Sequence, residues 1–326
     1  MENPSLAARD TLDGYRRFFT DLALWTPYVE AVLRRHNLQP LGPVRLGVPG
    51  TCPAFLVTER WMVKFFGQLF DGARSFAAER EAARLAASDP NVRAVPLAGS
   101  GELSTQGWPW PYLIFPFVPG TPIGAQIDGL SLQHKLRFAA ELGEMIRRLH
   151  SLPLEGSPVF PNTHAAHRRF LAEQRVGLSQ RLRQWANLPE HLIQTVEHFL
   201  PHPDALIDAS RPPHLIHADL TGDHLLGSLQ DDHWRINALI DFGDARTGGL
   251  LYELGALQLD LFRADRRLLA AFLDAYGLPP AQRASLPDKA LAAALLHQFD
   301  LFSAVPELLK QATGLPELAQ QLFGKP

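Results

Sequence analysis

A single cysteine among 326 residues, Cys52, leaves no internal disulfide framework and makes a reducing cytoplasm the expected setting. Long apolar runs are missing too. The longest, such as Leu291 to Leu296, fall far short of the roughly 20 residues that span a bilayer, so no membrane role is expected. The opening Met1-Glu2-Asn3-Pro4 lacks the basic and then apolar character of a secretory leader, and none is expected there. No charge of one sign dominates: 31 Lys and Arg face 34 Asp and Glu. The net charge of −3 gives no reason to expect a nucleic-acid partner. Although Gly324 precedes Lys325, no Gly-x-x-x-x-Gly-Lys-Ser/Thr occurs, which excludes a P-loop ATPase. Lysine itself is scarce, with five against 26 arginines. Of the five, only Lys64 sits inside an apolar, strand-like run.

What is present is an ordinary globular balance, 46% hydrophobic and 20% charged, over a length that suits two lobes. Phe18, Leu22 and Trp25, then Val29, Val32 and Leu33, repeat at helical spacing, with a break expected at Pro27. Two β-rich runs, Ala54 to Thr58 and Trp61 to Phe66, are joined by a tight Glu59-Arg60 connection, and a helix is expected from about Ala73 to Ser88. After the strand-like Tyr112 to Phe115, the stretch Pro116 to Pro122 is the best boundary in the chain. It divides residues 1–117 from 118–326. Beyond it the pattern is mainly helical, with Ser131 capping a helix that ends at His150 and two further helices between His164 and Leu200. A short β island at Leu215-Ile216, Leu225-Leu226 and Trp234 to Ile240 interrupts before helices resume near Leu250.

The chemistry concentrates in that island. His217-Ala218-Asp219 and Ile240-Asp241-Phe242-Gly243-Asp244 each place a carboxylate directly after a hydrophobic β run, where a rigid strand end can present it. Phosphoryl transfer uses such a pair. One carboxylate takes the proton of the attacking hydroxyl, and the other holds the metal that neutralises the phosphates. Taken singly, either Asp is equally a turn or capping residue, and Lys64 an edge-strand lysine.

With these motifs the chain resembles the aminoglycoside phosphotransferase family, whose fold is that of the protein kinases. His217-Ala218-Asp219 and Ile240-Asp241-Phe242-Gly243 carry the resemblance, supported in the right order by Val63-Lys64, Phe76-Ala77-Ala78-Glu79, Tyr112 to Gly120, Leu142 to His150 and Tyr252-Glu253-Leu254. It implies an α+β, two-lobed protein kinase-like fold. The small N-lobe would hold an antiparallel sheet behind an N-terminal helical extension, and the C-lobe would be mainly helical. It also implies a kinase using ATP and Mg²⁺ on a hydroxyl of a small molecule. In that reading Asp219 is the catalytic base, and Lys64 grips the phosphates. Glu79, or alternatively Glu81, orients the lysine. Thr51 offers a hydroxyl to phosphate, Phe115 and Phe117 lie at the adenine hinge, and Asp241 with His224 holds the metal.

Two departures stand out. Position 224 is His where the family has Asn, with Asp223 a possible substitute. The nucleotide loop, Gly47 to Pro53, has only two glycines. A pseudokinase-like binding module and a metal-dependent hydrolase built on His217, Asp219, Asp223 and His224 are the competing readings. His217 itself reads as structural. His198 and His202 have metal-pair spacing, but Pro201 between them makes them surface residues. Asp244, Glu253 and Asp260 would suit a cationic acceptor or serve the structure.

Overall fold

Alternation along two strands decides where the single strand-borne lysine points. In the computed structural model, which describes residues 12–39, 42–48, 50–104, 107–230 and 233–326, strands β1 (Val44–Leu46), β2 (Ala54–Val57) and β3 (Trp61–Phe65) form an antiparallel series. Helices α1 (Leu12–Phe19) and α2 (Leu22–Arg35) precede it, and α3 (Gly72–Ala86), β4 (Gly99–Glu102) and β5 (Pro111–Pro116) follow. The sheet order is β1-β2-β3-β5-β4. Phe55, Val57, Val63 and Phe65 join Phe18, Trp25, Val29 and Trp110 in one buried aromatic cluster. Since successive side chains leave a strand on opposite faces, Lys64 between Val63 and Phe65 must emerge on the other side.

Trp25 is the centre of that cluster. It is fully buried and lies 4.8 Å from Phe65, 5.0 Å from Trp110 and 5.3 Å from Phe18, ring centre to ring centre, while its indole N–H donates to the Phe18 carbonyl at 2.9 Å. Truncating such a side chain to alanine typically costs about 3–5 kcal/mol. The same packing explains why the break expected at Pro27 does not occur. A proline inside a helix costs about 3 kcal/mol. Here Trp25, Val29, Val32 and Leu33 are all buried along one continuous stripe of α2, so tertiary packing overrides the local preference. The break falls instead at Thr20-Asp21, where the Asp21 carboxylate caps α2 by accepting from Leu24 N at 3.0 Å.

The chain forms two compact units. One comprises the residues up to Ala87, with Ala94–Pro119 and Asp241–Gly243; the other comprises Ser88–Arg93, Gly120–Ile240 and Asp244–Pro326. Helices dominate the second: α4 (Leu132–Leu149), α5 (His164–Arg175), α6 (Leu178–Trp185), α7 (Glu190–Ile193) and α8 (Val196–Phe199) come after a short strand, β6 (Thr121–Pro122). Four helices thus occupy the stretch expected to hold two, because the chain restarts at Gly177, Pro189 and Thr195 to begin α6, α7 and α8. Ser131 caps α4 as expected, accepting from His134 N at 3.3 Å. Strands β7 (His214–Ile216), β8 (Leu225–Gln230), β9 (His233–Leu239) and β10 (Arg246–Gly248) come next. Helices α9 (Leu250–Ala256), α10 (Arg266–Tyr276), α11 (Pro280–Arg283), α12 (Leu286–Leu295), α13 (Pro306–Gln311) and α14 (Leu315–Phe323) complete the unit. Strand β7 pairs with β10, and β8 forms a hairpin with β9 in which Leu225 faces Leu239. That register returns the chain to the loop it left. Ile240 N donates to the His224 carbonyl at 3.0 Å.

No described helix is long and apolar enough to cross a membrane. The leader expectation at Met1 to Pro4 lies outside the described residues, as does Pro49 of the nucleotide loop.

Candidate active site

In the first unit the alternation of β3 delivers Lys64 to α3. Its Nζ lies 2.8 Å from Glu79 Oε2 and 2.7 Å from Asp241 Oδ1. The lysine and Glu79 side chains keep only 14% and 5% of their exposure, whereas Asp241 keeps 42%. Burial disfavours the charged lysine, but Asp241 and Glu79 outweigh it and hold the ammonium well above its ordinary pKa. Of the two glutamates weighed in the sequence, Glu79 faces the lysine. Glu81 pairs with Arg84 Nη2 at 2.7 Å. Cys52, whose thiol is pushed up to about 12 chiefly by burial, stays protonated and is no nucleophile.

Asp241 holds a left-handed backbone, φ 62°, which a non-glycine residue adopts only when its surroundings impose it, at a cost of about 1–3 kcal/mol. Gly243 leaves space beside it: a Cβ there would lie 3.3 Å from Asp241 Oδ1. Thr51 is exposed in the turn joining β1 and β2, a turn closed by Gly47 N donating to the Ala54 carbonyl at 2.8 Å.

At the expected hinge, Phe115 pairs with Met62 and Phe117 N donates to the Arg60 carbonyl at 2.8 Å. The backbone groups of both phenylalanines therefore turn inward to β3. By the two-residue period, those of Pro116 and Val118 turn to the opposite edge.

In the second unit Asp219 rides on a loop whose backbone is tied down almost residue by residue. Glu253, buried on α9, accepts from His217 N at 2.7 Å and Ala218 N at 2.9 Å. Ala218 is left-handed, φ 66°, and its carbonyl accepts from His297 Nε2 at 3.1 Å. Burial pushes His297 down to about 4, so it is a neutral donor at pH 7. Gly222 N donates to Asp260 Oδ1 at 2.8 Å. His217 donates from Nε2 to the Ile240 carbonyl at 2.8 Å and accepts at Nδ1 from Asp219 N at 3.3 Å. Both ring nitrogens are thereby committed, which fits a structural role. The His224 Nδ1 donates to the Asp219 carbonyl at 2.7 Å and lies 3.6 Å from the Asp219 carboxylate.

Glu253 and Asp260 thus anchor the loop that carries Asp219. Burial opposes ionisation of Glu253. His150 Nε2 lies 3.8 Å away, and its interaction together with those of His217 keeps the carboxyl below the ordinary range. His297 was missed in the sequence altogether, since it lies 79 residues from Ala218 with no motif around it. Asp244 Oδ1 accepts from Gln298 Nε2 at 2.8 Å.

Among the described residues no group of three or more His, Cys, Asp or Glu could hold a metal ion by itself. The proposed hydrolase cluster of His217, Asp219, Asp223 and His224 is therefore not assembled as a ligand set. Mg²⁺ makes a lighter demand, one or two carboxylates completed by phosphate oxygens and water, and the part-exposed Asp241 carboxylate fits it.

A model of the APH phosphotransferase enzyme family matches residues 53–308. A curated protein of Arabidopsis thaliana, lysine-specific demethylase JMJ21, is 27% identical over 214 residues. The match takes in 55% of this chain, which spans only 22% of that protein. The solved GDP and kanamycin complex of APH(2")-IIia is similar with a TM-score of 0.66 at 20% identity, over 87% of this chain and 97% of that one. The streptomycin-ATP-APH(2")-IIa ternary complex gives 0.55 at 17%, over 82% and 86%. A microcompartment-associated aminopropanol kinase gives 0.51 at 17%, over 91% and 93%. At such identities the likeness speaks to the fold alone, and that fold is protein kinase-like.

Proposed function

The chain belongs to the phosphotransferase enzyme family and is a small-molecule kinase, and from that premise we propose that it transfers the γ-phosphoryl group of ATP to a hydroxyl of a small, cationic acceptor. The observation that carries this reading is Lys64, held between Glu79 at 2.8 Å and Asp241 at 2.7 Å. A lysine so placed is charged and oriented before any nucleotide arrives. Phosphate oxygens can then replace one carboxylate as its partner.

In the proposed reaction Lys64 grips the α- and β-phosphates while Glu79 keeps it aimed. Thr51 and the turn around it meet the phosphates, and the hinge from Phe115 to Val118 meets the base, with Pro116 and Val118 supplying the outward backbone groups. Asp219 orients the acceptor hydroxyl and takes its proton as the oxygen bonds to phosphorus and the bond to the ADP oxygen breaks. Mg²⁺, which would neutralise phosphate charge when bound, is assigned to Asp241 and His224. The contribution of Glu253, Asp260 and His297 is to hold Asp219 still, since positioning and charge stabilisation supply most of the acceleration in this chemistry. Asp244 is the acid proposed to meet a cationic group on the acceptor. Residues 1–117 would serve the nucleotide, and residues 118–326 the acceptor and the base.

Calorimetric titration of ATP into the purified chain, with and without Mg²⁺ and beside Asp241→Asn, tests the reading. Binding should strengthen with Mg²⁺ and lose that dependence in the variant. No binding under either condition would sink it.

A further inference from the structure

A group of cationic and imidazole side chains that the proposed reaction does not use surrounds a cavity of about 260 Å³ in the second unit. His164 and His167 come from α5, Arg211 from the segment before β7, His214 from β7 and Lys289 from α12. Asp208 is the only acid among the described lining residues. The β7–β10 register pairs His214 with Gly248, at the end of the ribbon away from the Asp219 loop. None of His217, Asp219, His224 or Asp244 lines the cavity.

Its charge balance is lopsided. Asp208 is spent on its own turn, accepting from Ser210 N at 3.1 Å and Ser210 Oγ at 2.5 Å, and it lies 3.7 Å from Arg211 Nε. Lys289 has no hydrogen-bond or ion-pair partner among the described residues. The Nδ1 atoms of His167 and His214 are buried with no hydrogen-bond partner there either. Buried polar atoms without partners are rare and call for an occupant. Both rings are pushed down to about 4, first by burial, with the Arg211 guanidinium adding to the effect on His214 and the Arg246 guanidinium to that on His167. The imidazoles therefore sit in a positive field.

We propose that this cavity is a second binding site, for a small phosphate-bearing anion, with Arg211 and Lys289 as its charge partners and His167 and His214 as its hydrogen-bond partners, the His164 Nε2 being bonded to the Arg211 carbonyl at 2.9 Å. The cations and imidazoles come from four separate segments of the chain. A tetrahedral oxyanion offers acceptors in several directions, which suits such a surround better than a planar carboxylate does. The volume lies below the roughly 300–1,000 Å³ of sites for drug-sized ligands and suits a phosphate or short phosphomonoester.

The test is NMR of the full chain, labelled at histidine ring carbons and titrated with inorganic phosphate, each resonance assigned by single substitution. The His164, His167 and His214 resonances should move along one saturation curve. Arg211→Gln and Lys289→Gln should each weaken that curve about tenfold. Lys289→Arg, which keeps the charge, should retain it at an unchanged melting temperature. These positions are preferred to His214, which stacks 5.0 Å from His150 and so neighbours the Glu253 anchor. Acetate at equal ionic strength should leave the three resonances in place. Resonances that stay put in phosphate, that acetate moves equally, or that move unchanged in both Gln variants would overturn the proposal. So would shifts confined to His217 and His224, which would place the phosphate at the catalytic loop.

Discussion

The two regions that carry the proposed chemistry are held in place by different means. Around Lys64, formal charge holds formal charge: one ammonium between two carboxylates, with Asp241 still 42% exposed. Around Asp219, backbone amides and carbonyls are held by side chains distant in sequence, namely Glu253, Asp260 and His297. An ion pair can exchange one partner for a phosphate oxygen of the same sign. A backbone cage has nothing comparable to exchange. The lysine region is thus suited to being re-paired at each turnover, and the base-bearing loop to staying as it is.

The comparison is sharpened most by Asp219→Asn. If the cage sets the loop and the carboxylate does only chemistry, kcat should fall about 10²–10⁴-fold. The melting temperature and the affinity for ATP should be unchanged. A large loss of stability would mean that Asp219 is part of the cage.

Next in size is Lys64→Met. It leaves Glu79, 5% exposed, without its lysine, and should cost about 3 kcal/mol of stability together with most nucleotide affinity. The share from Asp241 is small, because a group that exposed is screened by solvent. Adding Glu79→Gln to Lys64→Met should restore much of the stability measured by urea unfolding and none of the nucleotide binding. Recovery of both would break the distinction between pairing and function drawn here.

Glu253→Gln should cost about 2–3 kcal/mol, since an amide keeps one acceptor oxygen and sets its own N–H₂ against the other backbone N–H. Its pH dependence has a definite sign. The folded carboxyl sits below its ordinary value of 4.5, so its contribution is fully present above that value and is lost as pH falls through the folded pKa. The stability gap between wild type and variant, from urea unfolding at a series of pH values, should therefore narrow only below about pH 4.5. A gap constant to lower pH would show that the charge on Glu253 is not what holds the loop.

The same contrast explains which parts of the site were legible in the sequence. Lys64 could be found because strand alternation and the scarcity of lysine are local facts. Asp219 and Asp241 could be found because each follows a hydrophobic β run. The cage was not legible. Glu253 lies 35 residues from Ala218 and His297 lies 79, so the contacts exist only once α9 and α12 have packed. Pro27 misled for a related reason, since a local rule was overridden by the buried stripe around Trp25. At the hinge, pairing with Arg60, and not strand propensity, sets which amides face inward. Patterns with short periods were readable, and carboxylates serving distant backbone were not.

The smallest effect expected is also the one closest to the family difference at position 224. His224 belongs to the cage through the bond from Nδ1 to the Asp219 carbonyl, and we assign it to the metal as well. An asparagine can make the same bond through its amide N–H₂ and still offer an oxygen, which Mg²⁺ prefers to an imidazole nitrogen. His224→Asn should therefore leave the melting temperature and kcat at saturating Mg²⁺ nearly unchanged. It should lower the Mg²⁺ concentration needed for half-maximal rate by up to about tenfold. His224→Ala removes the bond as well as the ligand, so it should lower kcat in addition. If Asn and Ala behave alike in both respects, the ring acts on neither the loop nor the metal. If Ala lowers kcat while Asn leaves the Mg²⁺ requirement untouched, His224 is a positioning residue only, and Asp241 holds the metal without it.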